Sequence, residues 1–231
     1  MKSLAIIYSA KSKPLKLDEI EINDPGPEQV LVKLYASGIC HSQLINLNRD
    51  PLHPELLGHE GTGKVLKKGS NVKHLKEGDD ILISWMPHKY GPNTKYLEWS
   101  SIRYKGKKIT TLIFTWSKYS LMHHQFITKL PKKVDKYSCS ILGCAGIAGY
   151  GTVYNTVKIK KSNSVAIFGA GGLGLLAVNA ARNLGAKKII VIDIKDKKLS
   201  FSKKFGATHL INSKSRNPVS EIKKNYQWKR C

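Results

Sequence analysis

The sequence predicts an α/β plus β chain: a β-rich domain over 1–145, then an incomplete doubly wound parallel-sheet domain over 146–231. Three observations predict it. Short apolar runs broken by turn residues fill the first part. The hydrophobic period changes to helical near Ile141. The run Ser164-Val165-Ala166-Ile167-Phe168 then leads into Gly169-Ala170-Gly171-Gly172-Leu173-Gly174, a glycine turn that opens a helix.

Met1–Tyr8 reads as a first strand, its apolar part too short for a signal peptide. Val30–Ala36 is a strand after the Asp24-Pro25-Gly26-Pro27 turn, Gly61–Leu66 is another, and Gly78-Asp79 turns into Asp80–Ile83. In the second part, Val165–Phe168 is a strand. Leu173, Leu176, Ala177, Ala180, Ala181 and Leu184 mark one side of a helix that Gly185 caps. Ile189–Ile192 forms the next strand and ends in Asp193. A helix over 197–205, a strand over 209–212 and a helix start over 218–224 follow.

Gly169, Gly171, Gly172, Leu173 and Gly174 suit a pyrophosphate. Glycines let the backbone come close, and the helix start offers unpaired N–H groups at the positive end of its dipole. Asp193 lies 24 positions after Gly169, near the spacing of an acid that binds a ribose 2′-hydroxyl. A carboxylate there repels a 2′-phosphate, so NAD is expected rather than NADP.

Only 38 residues follow Asp193, so the second half of a doubly wound sheet is missing from the sequence. The last seven, Asn225 to Cys231, resemble no element end. Plausible codons for Lys224 to Arg230, read one frame over, give Lys-Ile-Thr-Asn-Gly-Lys-Asp, a better helix-to-turn continuation. The expectation is a C-terminally truncated chain whose tail follows a frameshift or gene break.

The net charge of +23 comes from scattered lysines rather than one basic helix or stripe, so no nucleic-acid partner is expected. No apolar run is long enough to cross a membrane. Four irregularly spaced cysteines suggest no disulfide framework and a reducing, cytoplasmic setting.

Two segments of the β-rich part carry chemistry: Gly38-Ile39-Cys40-His41-Ser42 and Leu57-Gly58-His59-Glu60-Gly61-Thr62-Gly63-Lys64-Val65. Leu142-Gly143-Cys144-Ala145-Gly146 is a third candidate. Two cysteines, a histidine and a neighbouring carboxylate suit a catalytic zinc, with one coordination position left open. Spacing alone does not join residues so far apart, and buried core cysteines and histidines are the alternative reading.

Together these motifs, with Gly69-Ser70-Asn71-Val72, Gly78-Asp79 and the dinucleotide fingerprint, resemble the zinc-containing medium-chain alcohol dehydrogenase family from Met1 to about Lys224. The resemblance implies a GroES-like β domain and a Rossmann domain with an active site in the cleft between them. It implies hydride transfer between an alcohol and an aldehyde or ketone on one side and NAD on the other. By the same resemblance Cys40, His59 and Cys144 are zinc ligands, and Glu60 is an acidic neighbour able to approach or ligate the metal. Ser42 handles the substrate proton, and His41 stands near the pyrophosphate. The phosphate turn is Gly169, Gly171, Gly172, Leu173 and Gly174, and Asp193 with Lys198 binds the ribose. The family forms homo-oligomers, which the missing sheet half puts in doubt here.

The chain departs from that pattern in the stretch from about Trp85 to Ser120. It has no cysteine for the second, structural zinc of many members, so one catalytic zinc at most is expected. Trp85, Trp99, Trp116, Tyr90 and Tyr96 predict aromatic packing instead. His88, His123 and His124 read as loop or strand-surface histidines, Cys139 as a small buried residue and His53 as a loop residue. Ile45 replaces the histidine that ends a proton relay in some members. Two further readings are a zinc-free quinone reductase-like member and a non-catalytic fragment that keeps zinc or nucleotide binding.

Overall fold

The computed structural model describes residues 1–88 and 97–226, apart from the side chains of 225 and 226. Tyr90 and Tyr96, part of the expected aromatic lobe, lie outside the described residues, as does the end of the anomalous tail. The chain forms two compact units, Met1–Cys144 and Ala145–Cys231.

The first unit holds two five-stranded antiparallel sheets. In chain order its strands are β1 (Lys2–Tyr8), β2 (Lys16–Ile22), β3 (Gln29–Ser37), β4 (Glu55–Leu56), β5 (Gly61–Lys68), β6 (Asp80–Ile83), β7 (Ser100–Tyr104), β8 (Lys107–Thr111), β9 (Tyr119–His123) and β10 (Ile127–Lys129). One sheet runs β4-β1-β2-β7-β8 and the other β10-β6-β5-β3-β9. A short helix, α1 (His41–Asn46), follows β3. Strand alternation explains the cores. In β1, Ser3, Ala5 and Ile7 face inward while Lys2 and Leu4 face out. In β3, Leu31 joins Ala5, Ile20 and Phe114 in one core. Val30 and Val32 join Val65, Ile81 and Ile83 in a second. Successive side chains point to opposite faces, so one strand serves two cores.

β2 is a strand whose outer face is charged. Asp18 on it accepts hydrogen bonds from the Glu19 amide at 2.9 Å and the Tyr104 hydroxyl at 2.9 Å, and pairs with Lys16 at 2.8 Å. Lys16 and these donors hold its carboxyl down to about 2, against an ordinary 3.8. A depressed folded value means stability that is present above pH 3.8 and lost as the pH falls towards 2. Asp18→Asn is therefore expected to lower the melting midpoint at pH 6 and to lose that difference at the acid end of the window. Parallel melts across pH check it.

The second unit is a parallel sheet ordered β11-β12-β13, from β11 (Ser164–Phe168), β12 (Lys188–Asp193) and β13 (His209–Asn212). Helices α2 (Gly172–Asn183), α3 (Asp196–Ser202) and α4 (Pro218–Tyr226) accompany it. β12 is central, and its unbroken Ile-Ile-Val-Ile run is buried on both faces, as expected where helices cover both sides of a parallel sheet. Ile189 and Val191 pack with Val178 of α2 and Leu199 of α3, while Ile190 and Ile192 pack with Ile222 of α4. A wide helical segment of π type, Leu142–Val157, connects the units in sequence.

Several expectations need correction. Of the predicted face of α2, Ala180 and Ala181 are buried and Ala177 and Leu184 pack against the same core, but Leu173 at the helix start is 53% exposed, and Val178 joins the buried set. The helix expected over 197–205 ends at Ser202 and tightens into a 3₁₀ turn, Lys203–Phe205. Trp85 and Trp99 are about half exposed (47% and 50%). Leu97, Leu112 and Ile113 lean on the second core.

Candidate metal centre

Three segments of the first unit bring Cys40, His59 and Cys144 together. Their donor atoms all lie within 4.8 Å of one another. Cys40 is the extended residue that starts α1, directly after β3 runs out. His59 precedes β5, which pairs antiparallel with β3, so the two segments meet at the same sheet end. Cys144 follows a 3₁₀ turn, Ser138–Ile141, held near β5 and β6. The Gly143 carbonyl accepts a hydrogen bond from the Trp85 amide, which fixes this segment beside the end of β6.

The backbone around Glu60 is tightly tied. Its carbonyl accepts from Ser37 Oγ at 2.9 Å and Thr115 Oγ1 at 3.0 Å. The Trp116 indole donates to the Gly38 carbonyl at 3.1 Å. A Cβ on residue 38 would stand 2.6 Å from the Glu60 carboxyl carbon, so a side chain there would push this carboxylate aside. Glu60 is buried, and its carboxylate lies outside the three-donor group. His41 and Ser42 are exposed on α1.

The electrostatics suit a metal. Cys144 donates its thiol hydrogen to Cys40 Sγ at 3.8 Å, and the Ser42 hydroxyl donates to the same sulfur at 3.3 Å. Burial works against ionising Cys40, but the Ser42 hydroxyl and amide and the Cys144 thiol outweigh it and hold the thiol below its ordinary value. Cys144, half-buried and donating to Cys40, is pushed up to about 12, by desolvation first. Burial keeps His59 neutral, and its Nε2 is buried without a hydrogen-bond partner. A buried polar atom with no partner carries a desolvation cost of about 1–3 kcal/mol. A metal ion between two sulfurs and this nitrogen would relieve it. The set is the borderline-soft S₂N donor group that zinc prefers.

In the second unit the predicted phosphate turn lies where β11 meets α2. β11 and β12 run parallel with Phe168 opposite Ile192, which sets Gly169 beside Asp193. The Gly169 amide donates to the Ile192 carbonyl at 2.7 Å and the Ala170 amide to Asp193 Oδ2 at 2.8 Å. No side chain caps the start of α2. A Cβ on Gly174 would sit 1.8 Å from the Gly169 carbonyl oxygen, so this position must be glycine for the helix to pack on the turn. The Ala170 amide first, then the Lys195 amide and the Lys198 charge, hold Asp193 below the usual carboxylate range.

Comparison with known proteins bears on the fold and the family. Residues 26–132 match the alcohol dehydrogenase GroES-like domain, and residues 172–229 match the zinc-binding dehydrogenase family. The chain is 30% identical, with a TM-score of 0.87, to the crystal structure of an alcohol dehydrogenase zinc-binding domain protein from Burkholderia ambifaria. The match covers 97% of this chain and 67% of that one. The chain belongs to the zinc-containing medium-chain alcohol dehydrogenase family. It is also similar to benzyl alcohol dehydrogenase from Acinetobacter calcoaceticus, at 29% identity and a TM-score of 0.82. A curated relative, S-(hydroxymethyl)glutathione dehydrogenase of Escherichia coli O1:K1 / APEC, is 29% identical over 96% of this chain. The chain spans 67% of the length of that relative.

The remaining candidates fall as follows. His53 is an exposed loop residue, and Cys139 is half-buried rather than buried. His123 is not on the surface: it is 2% exposed, because β9 is covered on both faces beside β3. The sequence reading missed Gln43. It is buried on α1, three residues after Cys40, with its Oε1 unpartnered. A polar residue on the inward side of a short helix was its only signal. No helix among the described residues is long and apolar enough to cross a membrane.

Proposed function

We propose that Cys40, His59 and Cys144 hold one zinc ion, and that the chain is an oxidoreductase interconverting an alcohol with an aldehyde or ketone. The observation that carries this is the meeting of two sulfurs with a buried, unpartnered imidazole nitrogen from three distant segments. When bound, zinc supplies Lewis acidity that makes an alcohol easier to deprotonate, and NAD supplies the hydride acceptor. Three protein donors leave a position for substrate. No zinc is proposed for the stretch from Trp85 to Ser120, which has no cysteine.

The chain's own residues have separate tasks. Ser42, exposed and with its hydroxyl at Cys40 Sγ, is placed to take the substrate proton. Ile45, also exposed, cannot pass a proton on, so it leaves Ser42 for water. Glu60 contributes negative charge behind the sulfurs from its seat against Gly38.

Gly169, Gly171, Gly172, Leu173 and Gly174 take that pyrophosphate on backbone N–H groups at the start of α2. Asp193, ionised, accepts ribose hydroxyls on the lone pairs that Ala170 and Lys195 leave free, with Lys198 nearby. The substrate class is a small alcohol or aldehyde. The test is NADH and NADPH titration of the zinc-loaded chain, followed by a screen of primary, aromatic and thiol-adduct alcohols. Saturable NADH binding with turnover supports the proposal. Zinc and NADH binding with no turnover on any alcohol would leave a binding protein only.

Asp193 carries the cofactor preference. Asp193→Asn is expected to weaken NADH and to narrow its advantage over NADPH, because the repulsion of a 2′-phosphate goes with the charge. Paired fluorescence titrations check it. An unchanged ratio of the two affinities would remove Asp193 from the ribose site.

A further inference from the structure

Half of the chain's eight histidines gather at one corner of the first unit, away from the three-donor centre. The sheet register brings the key ones together. In the β3–β9 ladder Gln29 stands opposite His123, so Glu28 falls beside His124, and the His124 amide donates to the Glu28 carbonyl at 2.9 Å. The side chains follow. His124 Nε2 lies 3.0 Å from Glu28 Oε2, and the rings of His123 and His124 stack at 4.7 Å. His74 packs against His124 at 5.2 Å, and His88 Nε2 bonds the Ile127 carbonyl at 2.7 Å.

We infer that Glu28, His123 and His124 form a second site for a divalent transition-metal ion, of the two-imidazole, one-carboxylate type that zinc accepts. Their three donor atoms lie within 4.8 Å of one another. The chain needs no movement of an element to present them, because the β3–β9 pairing already sets their spacing.

A neighbouring group prepares the site. Asn71 Nδ2 holds the other Glu28 oxygen at 2.6 Å, an outer contact that fixes the orientation of the carboxylate. His124 Nδ1 is buried with no partner. Burial keeps both imidazoles neutral, the form that ligates, with His123 down to about 4. A chain of formal charge +23 does not collect cations by its field, so the chelate must do so. With no thiolate, this site is harder than the Cys40 centre, and among divalent ions it favours zinc, nickel and copper. Its role is structural: an ion here ties the start of β3 to the end of β9. This is a second ion where the sequence alone predicts one.

The test uses the full chain without a histidine tag, stripped of metal and titrated with Co²⁺ and with Zn²⁺. About two ions are expected per chain. One Co²⁺ shows a sulfur-to-metal charge-transfer band and the other shows none. Glu28→Gln and His124→Gln should each lose only the second ion, and with it the melting shift that this ion gives. Cys144→Ser should lose only the first. Glu28→Gln keeps the side-chain shape and can still bond Asn71, and a melt of the metal-free variant shows that it folds. One ion per chain in the parent protein, or a second ion that survives both variants, would overturn the site.

Discussion

His59→Ala is expected to lose zinc from the Cys40 centre by more than the roughly 100-fold that follows loss of an outer contact, because a donor itself is gone. The two remaining sulfurs sit on segments 104 residues apart and hydrogen-bond each other at 3.8 Å. They make a poor site without the nitrogen. The metal-free fold should lose little, about 1 kcal/mol, since His59 Nε2 makes no hydrogen bond to forfeit. Competition against a chromophoric chelator reads the affinity, and a melt of the stripped protein reads the fold. A large fall in metal-free stability with unchanged zinc affinity would make His59 a core residue instead.

Gly174→Ala should abolish NADH binding. The new methyl would stand 1.8 Å from the Gly169 carbonyl oxygen, a backbone atom that cannot swing aside. Either α2 shifts off the turn or the turn opens, and each moves the N–H groups that face the pyrophosphate. Overpacking of this kind costs about 1–3 kcal/mol, occasionally more. NADH fluorescence and a thermal melt check both effects. Zinc loading of the first unit should be unaffected, which separates this change from general misfolding. NADH binding retained at the parent affinity would remove the turn from the cofactor site.

Much of the second unit was legible in the sequence. The Ile189–Ile192 run, buried on both faces, is the mark of a central parallel strand, and the glycine turn with Asp193 reports its own geometry. The same local signals found most of the face of α2, since Ala177, Ala180, Ala181 and Leu184 pack in the core; they failed at the helix start, where Leu173 is exposed, and passed over Val178. In the first unit, β2 was hidden because its outward residues are charged and only Ile20 and Ile22 are deeply buried.

The three-donor group proposed for zinc was joined in the sequence only through family resemblance. Cys40, His59 and Cys144 are far apart in sequence, and pairing of β3 with β5 is what joins the first two. The Glu28–His123–His124 corner left no such trace. Its proximity depends on the register of β3 against β9, and period alone put His123 on the surface. Long-range pairing decides both clusters, and no local pattern encodes it.

The most direct test of the central claim is X-ray absorption at the zinc edge on the Glu28→Gln chain loaded with one equivalent of zinc. Two sulfur neighbours at about 2.3 Å and nitrogen or oxygen neighbours at about 2.0–2.1 Å are the predicted shell. A shell without sulfur would place the ion elsewhere and contradict Cys40 and Cys144 as ligands.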